Sequence, residues 1–445
     1  MRLESSLEEL DMISSIYKTY LLKDICLKIG SGSTPRGGSS VYRDSGISFI
    51  RSQNIYNNYF DYSGLVHIND EAALKLKNVE ILENDILLNI TGDSVARCTI
   101  VPNCILPARV NQHVCIIRPN KEIVDYRYLK YFFVNPNMQN KMLSLAQGGG
   151  TRAALTKKMI EDFEIKLPSL EEQIKISDVL SSLDEKIELN NEMNKTLEEM
   201  AQALFKRWFV DFEFPNQDGK PYKSSGGEMV DSEMGMIPKG WKVVELNEVC
   251  RKITDGSHYS PKHFEDGLYP MLSVKDMREY GFDYQSCKHI DQKEFDKMVS
   301  SDCVPKKDDI LVAKDGSYLK HIFIINEEKM EAILSSIAIF RSDKEIVYPE
   351  FMLCLLKNPV LQRKVKENYV SGSALPRIVL KDFKKLKIIM PPLKKQYEIV
   401  KVLSKFRSKI YINYEQNREL SKLRDSLLPK LMSGEIRVED IKANL

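Results

Sequence analysis

Arginine, glutamine and asparagine set together in an irregular segment have the chemistry to read base edges. Such a group stands at Ile50-Arg-Ser-Gln-Asn54, followed by Tyr56-Asn-Asn-Tyr59, so Arg51, Gln53 and Asn54 interleave with aromatics. Arg bonds guanine in bidentate fashion in the major groove, and Asn or Gln bonds adenine. Thr91-Gly-Asp-Ser-Val-Ala-Arg97 follows a strand-like run and adds Thr91, Ser94 and Arg97. Farther along, Lys275, Arg278, Lys314, Ser317 and Lys320 fall in corresponding places. Thr151-Arg152 and Ser371-Gly-Ser-Ala-Leu-Pro-Arg377 contribute two more basic loops, with Arg152 and Arg377 as candidate contacts. Each segment taken singly also fits a solvated surface loop.

Catalytic chemistry finds less support. Asn135-Pro-Asn-Met138 shares only its first two residues with the Asn-Pro-Pro-aromatic signature of amino methyltransferases, and Asn358-Pro-Val360 does no better. Both lack the aromatic that would stack a target base, and both read as helix stops. There is no Gly-x-x-x-x-Gly-Lys-[Ser/Thr] phosphate loop. Glu164-Ile-Lys166 fits the end of a nuclease metal motif, but its counterpart Lys387-Ile-Ile389 has no carboxylate. The eight cysteines form no Cys-x-x-Cys pair and do not cluster with the six histidines, so neither zinc nor a disulfide framework is expected. They read as buried free thiols of a cytoplasmic protein. The expectation is a non-catalytic chain with no metal site and no cofactor of its own.

The elements that position these loops occur twice. Leu22-Lys-Asp-Ile-Cys-Leu-Lys-Ile-Gly-Ser-Gly32 returns as Leu246-Asn-Glu-Val-Cys-Arg-Lys-Ile-Thr-Asp-Gly256. Asp85-Ile-Leu-Leu-Asn-Ile-Thr-Gly92 returns as Asp309-Ile-Leu-Val-Ala-Lys-Asp-Gly316, and Pro168-x-Leu-x-x-Gln173 as Pro391-x-Leu-x-x-Gln396. The offset of about 223 residues is too long for a solenoid unit and marks a duplicated domain. Ile86–Ile90 and Val114–Ile117 read as strands, with Ile310–Ala313 and Ile337–Phe340 as their counterparts, and Tyr126–Val134 reads as a helix. The copies agree in framework and differ in their polar loops, as one scaffold reading two short sequences would.

A long helix follows each domain. The first carries a heptad seam of Ile176, Leu183, Asn190, Leu197 and Leu204 with Leu180, Ile187, Asn194, Ala201 and Trp208. The second carries Ile399, Phe406, Asn413, Leu420 and Leu427 with Leu403, Ile410, Asn417, Arg424 and Leu431. Asn190, Asn194, Asn413 and Asn417 occupy matching seam positions, where a polar residue fixes register at a cost in stability. They would align in a parallel or an antiparallel pair alike. Residues 169–207 hold nine acids against five bases, and 392–431 hold ten bases against four acids, which favours pairing one helix of each kind. A helix of this length spans ~60 Å, about 15–18 base pairs.

Length, a hydrophobic fraction of 43% and the absence of a long apolar run fit a soluble multidomain chain. The acidic N-terminus is not expected to be a secretory leader. A net charge of +2 does not advertise a nucleic-acid partner, but clustering matters as much as the total. The expected fold class is α+β. The divisions are an N-terminal extension over 1–20, a first recognition domain over 21–168, a central coiled-coil helix over 169–210, and a linker over 211–240. A second domain over 241–391, a C-terminal coiled-coil helix over 392–432 and a tail over 433–445 complete it.

The chain resembles the specificity subunits of type I restriction–modification systems from about Tyr20 to Leu431. The resemblance is most specific at Phe205-Lys-Arg-Trp-Phe-Val-Asp-Phe-Glu-Phe-Pro215, Pro221-Tyr-Lys-Ser-Ser-Gly-Gly-Glu-Met229, Ile237-Pro-Lys-Gly-Trp241 and the two Pro-x-Leu-x-x-Gln helix starts. It implies two target recognition domains joined by an antiparallel coiled coil, each reading one half of a split, asymmetric duplex DNA sequence. It implies docking of two methyltransferase subunits and of restriction–translocase subunits, with S-adenosylmethionine, ATP and Mg2+ bound by those partners. The stretch before Tyr20 departs from the resemblance. Two other readings are a stand-alone DNA adenine methyltransferase and a coiled-coil scaffold with no DNA role.

Overall fold

The computed structural model describes residues 17–148, 153–285, 287–316, 318–371 and 377–439. The chain divides into two compact units, 1–188 with 418–445, and 189–417. Each unit therefore holds one mixed domain and a portion of both long helices.

In the first unit a four-stranded antiparallel sheet runs in the order Cys26–Ser31, Val114–Pro119, Ile86–Asn89, Cys98–Ile100. Its two central strands read as continuous apolar runs because both faces are covered. Ile86, Leu88, Cys115 and Ile117 point to one core, whereas Leu87, Val114 and Ile116 point to another. The first core is closed by the helices Tyr126–Val134 and Pro136–Gln147 and by Ile176, Leu180, Leu428 and Leu431 of the long helices. The second lies against a smaller sheet ordered Val66–Ile68, Ile47–Ile50, Ala108–Val110, Glu80–Ile81.

The second unit repeats this plan. Its sheet runs Cys250–Asp255, Ile337–Ser342, Ile310–Ala313, Ile322–Ile324. Ile310, Val312, Ala338 and Phe340 face the core that contains the long helices, and Leu311, Ala313, Ile337 and Ile339 face the other. Ion pairs repeat as well. Asp85 takes both Nε and Nη2 of Arg118 at 2.7 Å, and Asp309 takes those of Arg341 at 2.8 Å.

The paired Pro-x-Leu-x-x-Gln motifs have a common purpose. Gln173 and Gln396, 1% and 0% exposed, stand in the first turns of the long helices Leu170–Phe205 and Leu393–Ser433. Gln173 accepts from the amide of Asp125 and donates to the carbonyls of Ile123 and Pro168. Gln396 does the same with Tyr348, Ile346 and Pro391. Each glutamine thus fastens the helix start to the loop that opens its domain's helical layer.

The long helices touch in both units, and in the second the numbers rise on one as they fall on the other. In the second unit Asn190 donates to Asn417 and Gln416, and Asn413 donates to Asn194 at 2.8 Å. In the first, Arg424 donates to Asp184 at 2.7 Å. The seam residues expected from the heptads are buried or half-buried. Val402 and Leu423 are exposed off the seam, while Val179, also off it, packs on the first core.

Several boundaries move. Lys18–Leu21 pairs antiparallel with Glu164–Leu167, so the first domain's structure begins inside the stretch expected to be an extension; residues 1–16 lie outside the described residues. Asn135 ends one helix but also caps the next, its side chain accepting from Asn137. The expected linker 211–240 is partly core. Phe214 stacks on Trp241, Phe212 meets it edge-on, and both join Phe205 and Phe209 in the second unit's core, which composition in Gly, Ser and Pro obscured. All eight cysteines are unpaired, but Cys104 is exposed and Cys26 and Cys250 are half-buried rather than buried. No helix among the described residues is long and apolar enough to cross a membrane.

Candidate nucleic-acid interface

In the first unit the candidate loops converge on a short hairpin, Ile55–Tyr56 with Tyr59–Phe60. Its register sets Tyr56 opposite Tyr59, and their rings stack at 4.7 Å and 10°. The Arg97 guanidinium, arriving from the loop after Ile86–Asn89, lies 4.5 Å over Tyr56. The result is a three-layer stack of Arg97, Tyr56 and Tyr59, in which Tyr59 is 54% exposed. The turn at its tip is held by the Cys98 amide donating to Asn57 Oδ1 and by Lys130 donating to Asn58 Oδ1.

The candidates differ in what they are free to touch. Gln53 is exposed on the turn Ser52–Asn54. Asn54 is fully buried: it accepts from the Arg51 amide and donates to the carbonyls of Asp61 and Ser63. Its expected role as a base reader is therefore corrected to that of a turn latch. Arg51 is half-buried, donates to the Gly64 carbonyl and lies 5.5 Å over Tyr42. Thr91 is bonded to His113 Nδ1 at 2.7 Å. Ser94 is half-buried beside Arg97, whose amide donates to the Ser94 carbonyl. Arg152 and Ser317 lie outside the described residues.

The second unit repeats the turn as Val274–Asp276, with Asp276 taking the amide and hydroxyl of Ser273 as Asn54 takes the amide of Arg51. Lys275 is exposed and corresponds to Gln53. Lys314 is only 7% exposed and sits between Asp255 at 3.1 Å and Asp315 at 3.4 Å. It is committed to these half-buried carboxylates, which corrects the expectation that it contacts DNA. Lys320 and Arg377 are exposed. Burial pushes the His321 imidazole below its ordinary pKa, and the charges of Lys320 and Arg278 push the same way, so His321 stays neutral at pH 7.

The loops that carry these residues share a backbone while their side chains differ. Gly92 and Gly316 have φ of 73° and 67°, and Ala96 and Leu319 have φ of 71° and 58°. A left-handed Ala or Leu costs about 1–2 kcal/mol, so both copies hold this loop under constraint. A recognition surface needs such fixed geometry.

Sequence reasoning missed two features. One is Lys130, 5% exposed within an apolar helix, which joins Asn58 to Asp184 at 2.9 Å each. The other is the loop after Gly32, where Arg36 and Arg43 border a cleft with Lys75. The repeat of Gly32 as Gly256 was the available signal for the second. Among the described residues no three metal-ligating side chains cluster.

Two stretches of the chain, 15–199 and 238–422, match the family model for the type I restriction modification DNA specificity domain. The chain is 30% identical over 452 residues to the type I restriction enzyme MjaIX specificity subunit of Methanocaldococcus jannaschii, covering 99% of this chain and 98% of that one. It is 24% identical to the HindI specificity subunit of Haemophilus influenzae, covering 95% and 100%. A crystal structure of a type I restriction–modification S subunit from M. genitalium shares the fold, with a TM-score of 0.50 at 15% identity, covering 93% of this chain and 96% of that one.

Proposed function

Because this chain belongs to the type I restriction–modification DNA specificity family, where it supplies sequence specificity, we propose that each of its two domains reads one half of a split, asymmetric duplex target. The observation that carries this reading is the repeated turn whose latch residue is conserved in role while the outward residue changes from Gln53 to Lys275. A neutral amide and a cation have different hydrogen-bonding tastes, so the two copies suit different bases. The chain itself is non-catalytic. S-adenosylmethionine, ATP and Mg2+ belong to methyltransferase and restriction subunits that dock on it.

The long helices act in this proposal as an antiparallel coiled coil that sets the separation of the half-sites. The Asn190–Asn417 and Asn413–Asn194 contacts support it. Asn190 Oδ1 and Asn413 Oδ1 are buried with no hydrogen-bond partner among the described residues, so these amides act as register markers more than as sources of stability. Asn190→Leu combined with Asn413→Leu is expected to leave the fold intact and to broaden the spacings that are methylated. Unchanged spacing tolerance, measured on a series of duplexes differing in the central gap, would sink this role.

The test of the function is to co-purify the chain with its methyltransferase subunits and map methylated adenines across genomic DNA. The expected result is one split motif, lost when either domain is removed. A stable complex that methylates no defined motif would overturn the reading.

A further inference from the structure

The loop between Gly32 and Arg43 leaves the sheet at a closely packed point. A Cβ on Gly32 would lie 2.2 Å from the Asn111 carbonyl oxygen and 2.3 Å from that of Val110, so only glycine fits. The Gly256 position repeats this against the Ile333 carbonyl oxygen at 2.2 Å. Beyond Gly32 the loop faces the short helix Asp70–Lys75 across a cleft of about 600 Å³. Its polar lining includes Ser33, Thr34, Arg36, Arg43, Glu71 and Lys75. Three of these are cations and one is a carboxylate, and that carboxylate is bonded to Lys75 at 2.7 Å. Thr34 is bonded to Gln112. Arg43 is oriented by donating from Nη1 to the carbonyls of Ser40 and Tyr42 at 2.7 and 3.0 Å. Arg36 is exposed.

We propose that this cleft in the first unit grips a phosphodiester of the DNA backbone, with Arg36 as the principal contact and Arg43 and Lys75 supporting it. The inference rests on the DNA-reading function stated above and adds a site to it. Several N–H and O–H donors around a cleft, with its one carboxylate already paired, match a singly charged tetrahedral group that accepts and does not donate. Position argues the same way. Tyr42, adjacent to Arg43, carries the Arg51 guanidinium on its ring, and Arg51 opens the turn that exposes Gln53. A backbone contact next to a reading turn fixes register while the turn reads bases. The corresponding loop of the second unit is tied differently. Lys288 donates to Ser260 at 3.1 Å, and the His289 amide donates to His263 Nδ1 at 3.1 Å. The proposal is confined to the first domain.

The experiment uses the full chain with its methyltransferase subunits, bound to a cognate and to a non-cognate duplex over a salt series. Losing one phosphate contact lowers the slope of log K against log salt by about 0.9. Arg36→Ala is expected to show that loss and to weaken both duplexes by the same factor, with the methylated motif unchanged. Arg36→Lys is expected to restore the slope, which a merely structural arginine would not require. An unaltered slope, or a loss confined to the cognate duplex, overturns the phosphate site. Both outcomes leave the DNA-reading function standing, because the unsubstituted complex still discriminates between the duplexes. Equal binding of both duplexes by the unsubstituted complex would instead remove the function on which the site rests.

Discussion

Exchange of residues 17–168 for the first domain of another family member is expected to replace one half of the methylated motif and leave the other half as it was. The cut points follow from the structure. Lys18–Leu21 pairs with Glu164–Leu167, so a graft beginning at Tyr20 or Leu21 would split this two-stranded sheet. Ending at Pro168 keeps Gln173 with the helix, where it needs only an amide and carbonyls from the incoming domain. Binding to the original half-site should fall toward the non-specific level, by about 10³-fold or more. The readout is methylation mapping beside the parent chain. A change in both halves of the motif would show that the domains do not read independently.

The second large effect concerns a buried charge cluster in the first unit. Asp184 accepts from Lys130 Nζ at 2.9 Å, from the Tyr131 hydroxyl at 2.7 Å and from Arg424 Nη1 at 2.7 Å. Replacing it with alanine removes the buried counter-charge, leaving Lys130 to Asn58, Arg424 to Asp425 and the Tyr131 hydroxyl without this acceptor. Asp184→Ala is expected to destabilise the first unit by about 3–5 kcal/mol, read by hydrogen exchange of its core amides during denaturant titration. A loss below about 1 kcal/mol would show the cluster to be solvated. Burial pushes the Asp184 carboxyl up, but Lys130 and Arg424 outweigh it and hold it below the usual carboxylate range. A carboxyl lowered on folding stabilises fully above its unfolded value, about 3.9. That contribution fades as pH falls through the lowered folded value, so the wild-type chain should lose it in acid and Asp184→Ala should not.

What was legible in the sequence was the framework. Ile86–Asn89 and Ile310–Ala313 read as strands because they are apolar at every position or nearly so, and the structure covers both of their faces. The heptad residues could be picked out because burial of one helix stripe leaves a period. The reading residues were harder to assign. Asn54 and Lys314 have side chains suited to DNA, but an amide suits backbone carbonyls equally well and a lysine suits half-buried carboxylates. Side-chain type carries no record of which partner it will meet. Lys130 was hidden for the opposite reason: it sits among Tyr128, Leu129 and Tyr131, where a charge looks incidental until Asn58 and Asp184 arrive from distant parts of the chain.

Gln173 and Gln396 hold their domains through amides and carbonyls of the backbone. No side chain of the domain has to be of a given kind for these bonds to form. This part of the joint is therefore blind to sequence, a socket that a divergent domain can enter, while contacts such as Lys130 and Tyr131 on Asp184 depend on the side chain present. Mutation of the reading loops leaves these backbone bonds in place, so this part of the seat does not have to be reinvented each time.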